Sequence, residues 1–201
     1  MEKNVQCAVV RVLNAACFVP TVRVCVGSRE IAEKLCFGEV SERCRINAGF
    51  RRVSVMHAHT GEVLWSETLP FSAGEKKTLV ICNTMHSVSL IVTEENGSLA
   101  GRGKSCIRLG NFSFDEGPFR LCTKEGSTIF SAVAPREISS LCPARCGSYE
   151  LVVQREEAYE AREGNDSLSL KIELQNATCY TICILGADNE ELPLRLVLLE
   201  F

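Results

Sequence analysis

The chain carries an internal duplication, which restricts its fold more than any other feature. Val10-Arg11-Val12-Leu13-Asn14 returns as Ile107-Arg108-Leu109-Gly110-Asn111, and Glu39-Val40-Ser41 returns as Glu137-Ile138-Ser139. The two copies fill the two halves of a 201-residue chain. Each copy has about the length of one small domain, so the sequence predicts two similar domains.

A short glycine-rich segment separates the copies. Residues 96–104 contain three glycines and few apolar side chains. This composition is typical of a flexible connector. The predicted organisation is therefore a first domain over 1–95, a linker over 96–104 and a second domain over 105–201.

Apolar and polar residues alternate within each copy. Val22, Val24 and Val26, for example, alternate with Arg23 and Cys25. A period of two indicates half-buried strands, and turn residues about every ten positions, without a helical period, favour a sandwich. The sequence predicts an all-β chain of two tandem immunoglobulin-like or transthyretin-like β-sandwich domains.

Charge and hydropathy argue against two classes of partner, nucleic acids and lipid membranes. The net charge is only -3, and Lys and Arg are scattered along the chain, which argues against nucleic-acid binding. No apolar run reaches the roughly 18 residues that a membrane helix requires. The polar start of the sequence lacks the pattern of a secretory signal. We therefore expect synthesis in the cytoplasm without a signal peptide, and no membrane insertion.

Several motifs occur in the order found in a known family. They are Val10-Arg11-Val12-Leu13-Asn14-Ala15, Val19-Pro20-Thr21-Val22-Arg23-Val24, Leu35-Cys36-Phe37-Gly38-Glu39-Val40-Ser41, Asn47-Ala48-Gly49, and Ser72-Ala73-Gly74 with Thr78. This text resembles the bacterial domain of unknown function DUF4397, usually found as tandem β-sandwich repeats on envelope and surface proteins. The resemblance covers both halves. It implies a fold and a surface or structural context, and it brings no established activity.

The sequence departs from the family pattern at recurring positions. Asn14 stands where the family usually has histidine, Arg23 and Arg120 where it has aspartate, and Cys25 and Cys122 where it has tyrosine. If that histidine and aspartate contribute to a ligand site in relatives, the site is altered here.

Twelve cysteines are the anomaly of the composition. Without a secretory signal, either the thiols stay reduced or the protein is oxidised after synthesis. Cys25 and Cys122 recur on strand faces opposite the apolar ones, which predicts exposed thiols and intermolecular disulfides. Cys44 and Cys142 recur as well and are further crosslinking candidates. The alternative is a set of ordinary thiols in a reducing cell.

Two short patterns are weak candidates for metal binding. Cys142 and Cys146 form a C-x3-C pair, and His57 and His59 are separated by one residue. Structural zinc sites usually show tighter C-x2-C turns, and no acidic partner accompanies the histidines. We predict no metal and no cofactor.

The sequence contains no nucleophile elbow, phosphate-binding loop, dinucleotide fingerprint or metalloprotease motif. We therefore predict a non-enzymatic, self-assembling bacterial surface or spore-coat-like protein that is crosslinked by disulfides. Its expected partners are copies of itself or other envelope or coat proteins. The alternative is a glycan- or protein-binding adhesion-type module, and an enzyme that depends on metal or cysteine is the third possibility.

Overall fold

The computed structural model describes residues 6–19, 21–96, 103–114, 117–156, 167–187 and 191–201. Sixteen strands run through these residues, and no helix occurs among them. The predicted all-β fold class is confirmed. The chain divides into two compact units, Met1–Glu95 and Asn96–Phe201, which are called unit 1 and unit 2 below.

Unit 1 contains eight strands. They are β1 (Cys7–Asn14), β2 (Thr21–Val26), β3 (Arg29–Cys36), β4 (Cys44–Asn47), β5 (Gly49–His57), β6 (Val63–Phe71), β7 (Lys76–Asn83) and β8 (Val88–Glu94).

Unit 2 also contains eight strands, of similar but not identical lengths. They are β9 (Lys104–Asn111), β10 (Phe119–Thr123), β11 (Thr128–Val133), β12 (Cys142–Arg145), β13 (Gly147–Arg155), β14 (Ser167–Leu174), β15 (Cys179–Leu185) and β16 (Arg195–Glu200).

The two units share one topology. In unit 1 one sheet has the strand order β4-β1-β7-β8 and the other has β3-β2-β5-β6. Unit 2 repeats this as β12-β9-β15-β16 and β11-β10-β13-β14. The pairs β1–β7 and β9–β15 are parallel, and the other pairs are antiparallel. The sequence repeat is therefore a repeat of a complete eight-stranded arrangement.

The core of unit 1 follows from the alternation in β2. Val22, Val24 and Val26 are buried, while Arg23 and Cys25 on the other face are half-buried. Aliphatic and aromatic side chains from the two sheets complete this core: Val10, Val12, Val53, Val55, Phe71, Leu79 and Ile81. Burying one such side chain stabilises the fold by about 1.5–3 kcal/mol.

The core of unit 2 is built at equivalent positions from other apolar residues. Its buried members come from both sheets: Ile107, Leu109, Phe119, Leu121, Leu151, Val153, Leu174, Ile182 and Ile184. Each sandwich therefore encloses its own apolar centre between two facing sheets.

The first strand of unit 2 begins at the end of the predicted connector. Lys104, its last predicted residue, begins β9. Residues 97–102 of the connector lie outside the described residues. Among the described residues there is no helix with the length and apolar character needed to cross a lipid bilayer.

Candidate functional site

Asn14 lies at the end of β1, where the resembled family usually has histidine. Its amide nitrogen donates to the carbonyl oxygens of Leu35 at 3.0 Å and Val19 at 3.4 Å, and its Oδ1 accepts from the N–H of Ala16 at 3.0 Å. The side chain is fully buried. It ties the loop after β1 to the end of β3, and these backbone contacts satisfy its polar atoms.

Asn111 repeats this arrangement at the end of β9. Its amide nitrogen donates to Val133 O at 3.0 Å and Gly117 O at 3.3 Å, and its Oδ1 accepts from the Ser113 hydroxyl at 2.7 Å. Asn111 is fully buried, so the Asn-x-Ser pattern at this position cannot serve as a glycan acceptor in the folded chain. The same clamp in both units gives this asparagine a structural role.

The Glu-x-Ser segment after β3 is a second structural clasp. Ser41 Oγ accepts from the N–H of Val12 at 2.9 Å, and Glu39 Oε2 accepts from the N–H of Cys36 at 2.8 Å. The segment Glu137-Ile138-Ser139 makes the equivalent contacts in unit 2. The most recognisable motifs of the repeat therefore hold loops against strands.

The Ser72-Ala73-Gly74 turn is held by charge as well as by backbone geometry. Gly74 adopts a φ of 81°, a left-handed value that favours glycine. Hydrogen bonds from Lys77 and from the backbone of Ser72 lower the pKa of the Glu75 carboxyl to about 2. Glu75 therefore stays ionised at neutral pH and stays bonded to the turn.

Cys25 lies beside an ion pair on the outer face of β2. Arg23 Nε and Glu30 Oε2 are 3.4 Å apart. Burial raises the pKa of the Cys25 thiol, the Glu30 carboxylate raises this pKa further, and Arg23 opposes the change. A raised pKa disfavours the thiolate, which is the reactive form in disulfide exchange.

The other three crosslinking candidates differ in their exposure to solvent. Cys122 is only 5% exposed, and its sulphur lies 3.7 Å from the Thr128 hydroxyl, so the expectation of an exposed thiol is wrong at this position. Residues of both faces of β10 are covered, which simple alternation does not anticipate. Cys44 and Cys142 are half-buried and pack against the cores of their units. Their role in crosslinking remains a prediction.

A disulfide connects two strands of unit 2. Cys106 on β9 and Cys179 on β15 are direct partners in the parallel register, their Cα atoms are 4.5 Å apart, and their sulphur atoms are bonded. The corresponding partners in unit 1 are Val9 and Lys76. This bond is therefore particular to the second unit.

A buried charged cluster lies on the sheet face of unit 1 that points away from its own core. Arg11 forms an ion pair with Glu95, and its Nε donates to Thr78 Oγ1 at 3.0 Å. The Thr78 hydroxyl donates to Glu95 Oε1 at 2.6 Å, and Arg43 donates to Oε2 at 3.2 Å and 3.3 Å. Two guanidinium groups and one hydroxyl thus satisfy one buried carboxylate.

The arginine and the threonine of this cluster recur in unit 2, where the arginine also contacts an aromatic ring. Arg108 Nε donates to Thr181 Oγ1 at 2.8 Å, as Arg11 does to Thr78. The guanidinium of Arg108 lies 5.0 Å from the centre of the Phe201 ring. In unit 2 the ring of Phe201 lies at the position that Glu95 has in unit 1, and it supplies a cation–π contact to Arg108.

The predicted metal ligands lie in different units. His57 and His59 belong to the turn after β5 in unit 1, with ring centres 5.8 Å apart, whereas Cys142 and Cys146 belong to unit 2. His57 Nδ1 accepts from the backbone N–H groups of His59 and Thr60 at 3.3 Å, and this organises the turn. Within the part of the chain that the structure describes, no three His, Cys, Asp or Glu side chains form a group that could hold a metal.

Exposed apolar side chains gather at the end of unit 1 where β1 and β7 finish. Phe18 is 52% exposed, Val63 57% and Met85 86%. The Asn83 side chain accepts from Phe18 N at 3.0 Å, and Ser87 Oγ donates to Leu64 O at 2.9 Å. These bonds join the turn that carries Met85 to the segments that carry the other two residues. We call Phe18, Val63 and Met85 the loop-end patch.

Sequence reasoning missed the charged cluster and the disulfide. The recurring arginine inside an apolar strand, at Arg11 and Arg108, was a usable signal for the cluster. The disulfide had no comparable signal, because the pairing of Cys106 with Cys179 depends on a parallel register between strands far apart in sequence. The loop-end patch was missed because its members lie on three separate segments.

Solved structures resemble the chain at low sequence identity. No curated protein matches the chain. The chain is similar over 90% of its length to the Bacillus anthracis TIE protein, with 11% identity, a TM-score of 0.28 and 34% of that protein covered. The chain therefore spans about a third of that protein. It is also similar to a family CBM26 module of Eubacterium rectale Amy13K solved with maltoheptaose, with 7% identity, a TM-score of 0.28, and 95% and 96% of the two chains covered.

The family comparison agrees with the resemblance in the motifs. The model described as "Domain of unknown function (DUF4397)" matches residues 8–121, more than half of the chain. The match covers the motif-bearing strands of unit 1 and continues through β9 into β10. The chain belongs to the DUF4397 family.

Proposed function

We propose that this protein is a non-catalytic module that binds a partner protein through the loop-end patch of unit 1. The observation that carries the proposal is the gathering of Phe18, Val63 and Met85 on neighbouring segments, each more than half exposed. Single exposed apolar residues are ordinary on a protein surface, whereas several on neighbouring segments at one end of a domain favour an interaction site.

The chemistry of the patch favours a protein over a glycan. Methionine and phenylalanine are enriched at the centres of protein interfaces, and a flexible methionine adapts to an irregular apolar surface. Glycan recognition needs convergent hydrogen-bonding groups beside a flat aromatic ring. Trp65, the single tryptophan of the sequence, instead packs against the core of unit 1.

The assignment of a non-catalytic role is supported by how the polar motif residues are used. Asn14, Glu39, Ser41 and His57 all make hydrogen bonds that organise loops. The Cys25 thiol has a raised pKa, which disfavours a nucleophilic role. Together with the family resemblance, this favours binding in a bacterial envelope or surface context.

A paired surface substitution tests the proposal. The tagged chain, purified from its native source, is expected to retain a partner protein at a fixed stoichiometry. The double variant Phe18→Ser, Met85→Ser is expected to lose it, because the apolar area that drives association is removed. The measurement is quantitative mass spectrometry of the co-purified proteins.

The matched control is Phe50→Ser. Phe50 is 74% exposed at the start of β5, at the opposite end of the sandwich. This variant is expected to retain the partner. If the unaltered protein, the double variant and Phe50→Ser all retained the partner equally, the loop-end patch would not be the binding site.

A second candidate is a self-assembling coat or surface protein locked by intermolecular disulfides. The observation that favours it is one exposed thiol in each unit, at Cys36 and Cys146. These positions replace Cys25 and Cys122 as the preferred crosslinking residues, because Cys122 is buried. A disulfide-bearing oxidant acting after synthesis would accept the electrons of the two thiols in each crosslink.

Gel electrophoresis separates the two candidates. Crosslinked protein from the native source is expected to run as a ladder without reductant and as one band with it. The double variant Cys36→Ser, Cys146→Ser is expected to abolish the ladder, while Cys25→Ser leaves it in place. A monomer band in all three samples would reject the crosslinked candidate.

A further inference from the structure

Unit 2 contains an apolar cavity of about 210 Å³ between its two sheets. Its walls come from β9 and β12 on one side and from β10, β11, β13 and β14 on the other. Ile107, Leu151 and Leu174 form much of the lining. Cys142 and Ala144 on β12 are only partly covered, which marks the side where the cavity approaches solvent.

The polar atoms of the lining are already engaged. The Tyr149 hydroxyl donates to Arg145 O at 3.0 Å, and the Thr123 hydroxyl accepts from Ser127 N at 3.3 Å. A water molecule is stable in a cavity only where two or more polar partners remain for it. The lining therefore favours an apolar occupant over water.

The duplication explains why the cavity exists. Ala144 on β12 corresponds to Ile46 on β4, because each lies two residues after the cysteine that pairs with β9 or β1. Leu174 corresponds to Phe71, because each is the partner of the first glycine in β13 or β5. In unit 1 both Ile46 and Phe71 are buried members of the core.

Two large side chains of unit 1 are therefore replaced by smaller ones in unit 2. Ile107 and Leu151 are each one methylene larger than their counterparts Val10 and Val53, and they recover part of the lost volume. Ala144 lines the remaining space and has the position that Ile46 has in unit 1. An interior that is otherwise closely packed leaves such a space only where side chains are missing.

We propose that this cavity is a binding site for a small apolar molecule of about the size of benzene to indole. An apolar protein cavity of about 150 Å³ stays dry and binds benzene. The cavity in unit 2 has about 210 Å³, its lining is mainly apolar, and it opens partly to solvent beside β12. It lies in a different unit from the loop-end patch, so this inference does not depend on the proposed protein partner.

Titration with toluene tests the site directly. In methyl-labelled protein, the NMR signals of Ile107, Ile129, Leu151 and Leu174 are expected to shift and to saturate as toluene is added. Methyl signals of unit 1, such as those of Val24 and Leu79, are expected to stay in place. A shift that rises linearly without saturation would overturn the proposal.

The matched variants place the larger residue of unit 1 at the equivalent position of unit 2. Ala144→Ile is expected to fill the cavity and to abolish the saturable shift, and Leu174→Phe is expected to weaken toluene binding. Two variants guard against one of them failing to fold, and the dispersion of the unit 2 methyl signals reports folding. Saturable binding that persists in both folded variants would place the toluene elsewhere and reject the site.

Discussion

Val24→Asp is expected to unfold unit 1. Val24 is completely buried at the centre of β2, between β3 and β5. The described residues of the core that surrounds it are apolar. Placing an unpaired carboxylate there costs about 4 kcal/mol or more, a large part of the stability of a typical domain. NMR spectra are expected to lose the dispersed amide signals of residues 6–96.

The neighbouring position supplies the control. Cys25→Ser changes a half-buried side chain on the opposite face of the same strand. This change is expected to leave the amide dispersion intact and to move the unfolding free energy by less than about 1 kcal/mol. A large loss of stability in Cys25→Ser, with tolerance of Val24→Asp, would mean that the faces of β2 are reversed.

Glu95→Ala is expected to destabilise unit 1 by about 3–5 kcal/mol. The Glu95 side chain is 2% exposed and accepts contacts from Arg11, Thr78 and Arg43. Its removal takes the Glu95 carboxylate away from the buried Arg11 guanidinium. An uncompensated buried charge costs far more than the net contribution of the ion pair itself. Urea unfolding, with the midpoint and the slope fitted together, measures the change.

Unit 2 suggests a variant that should rescue this loss. Phe201 and Leu141 occupy the positions in unit 2 that correspond to Glu95 and Arg43, as the registers of β15 with β16 and of β9 with β12 show. The double variant Glu95→Phe, Arg43→Leu is expected to recover about 2 kcal/mol of the loss, because the introduced ring offers Arg11 the cation–π contact that Phe201 gives Arg108. Equal destabilisation of this variant and Glu95→Ala would show that the carboxylate is needed for another reason.

The internal duplication allowed the fold to be predicted from the sequence. The recurrence of Asn14 at Asn111 and the alternation of Val22, Val24 and Val26 were enough to predict two β-sandwiches, because strand periodicity and repeat length are local properties. The burial of Cys122 could not be predicted from the sequence. It depends on how neighbouring strands and turns cover the outer face of β10, and alternation along one strand does not report this.

The candidate sites were harder to predict, for a related reason. Phe18, Val63 and Met85 are unremarkable one by one, and only the folded chain brings their segments together. The cavity of unit 2 becomes understandable when Ala144 is compared with Ile46, and this comparison needs the register of β12 with β9. In a duplicated chain each copy shows which residues of the other are structural and which have diverged.

The most direct test of the proposed function is photo-crosslinking from position 85. A benzophenone amino acid replaces Met85 in one sample and Phe50 in another, and adducts formed in the native source are identified by mass spectrometry. We expect one dominant protein adduct from position 85 that is absent from position 50 and is lost when Phe18→Ser and Val63→Ser are added. Identical adducts from both positions, or none from position 85, would contradict protein binding by the loop-end patch.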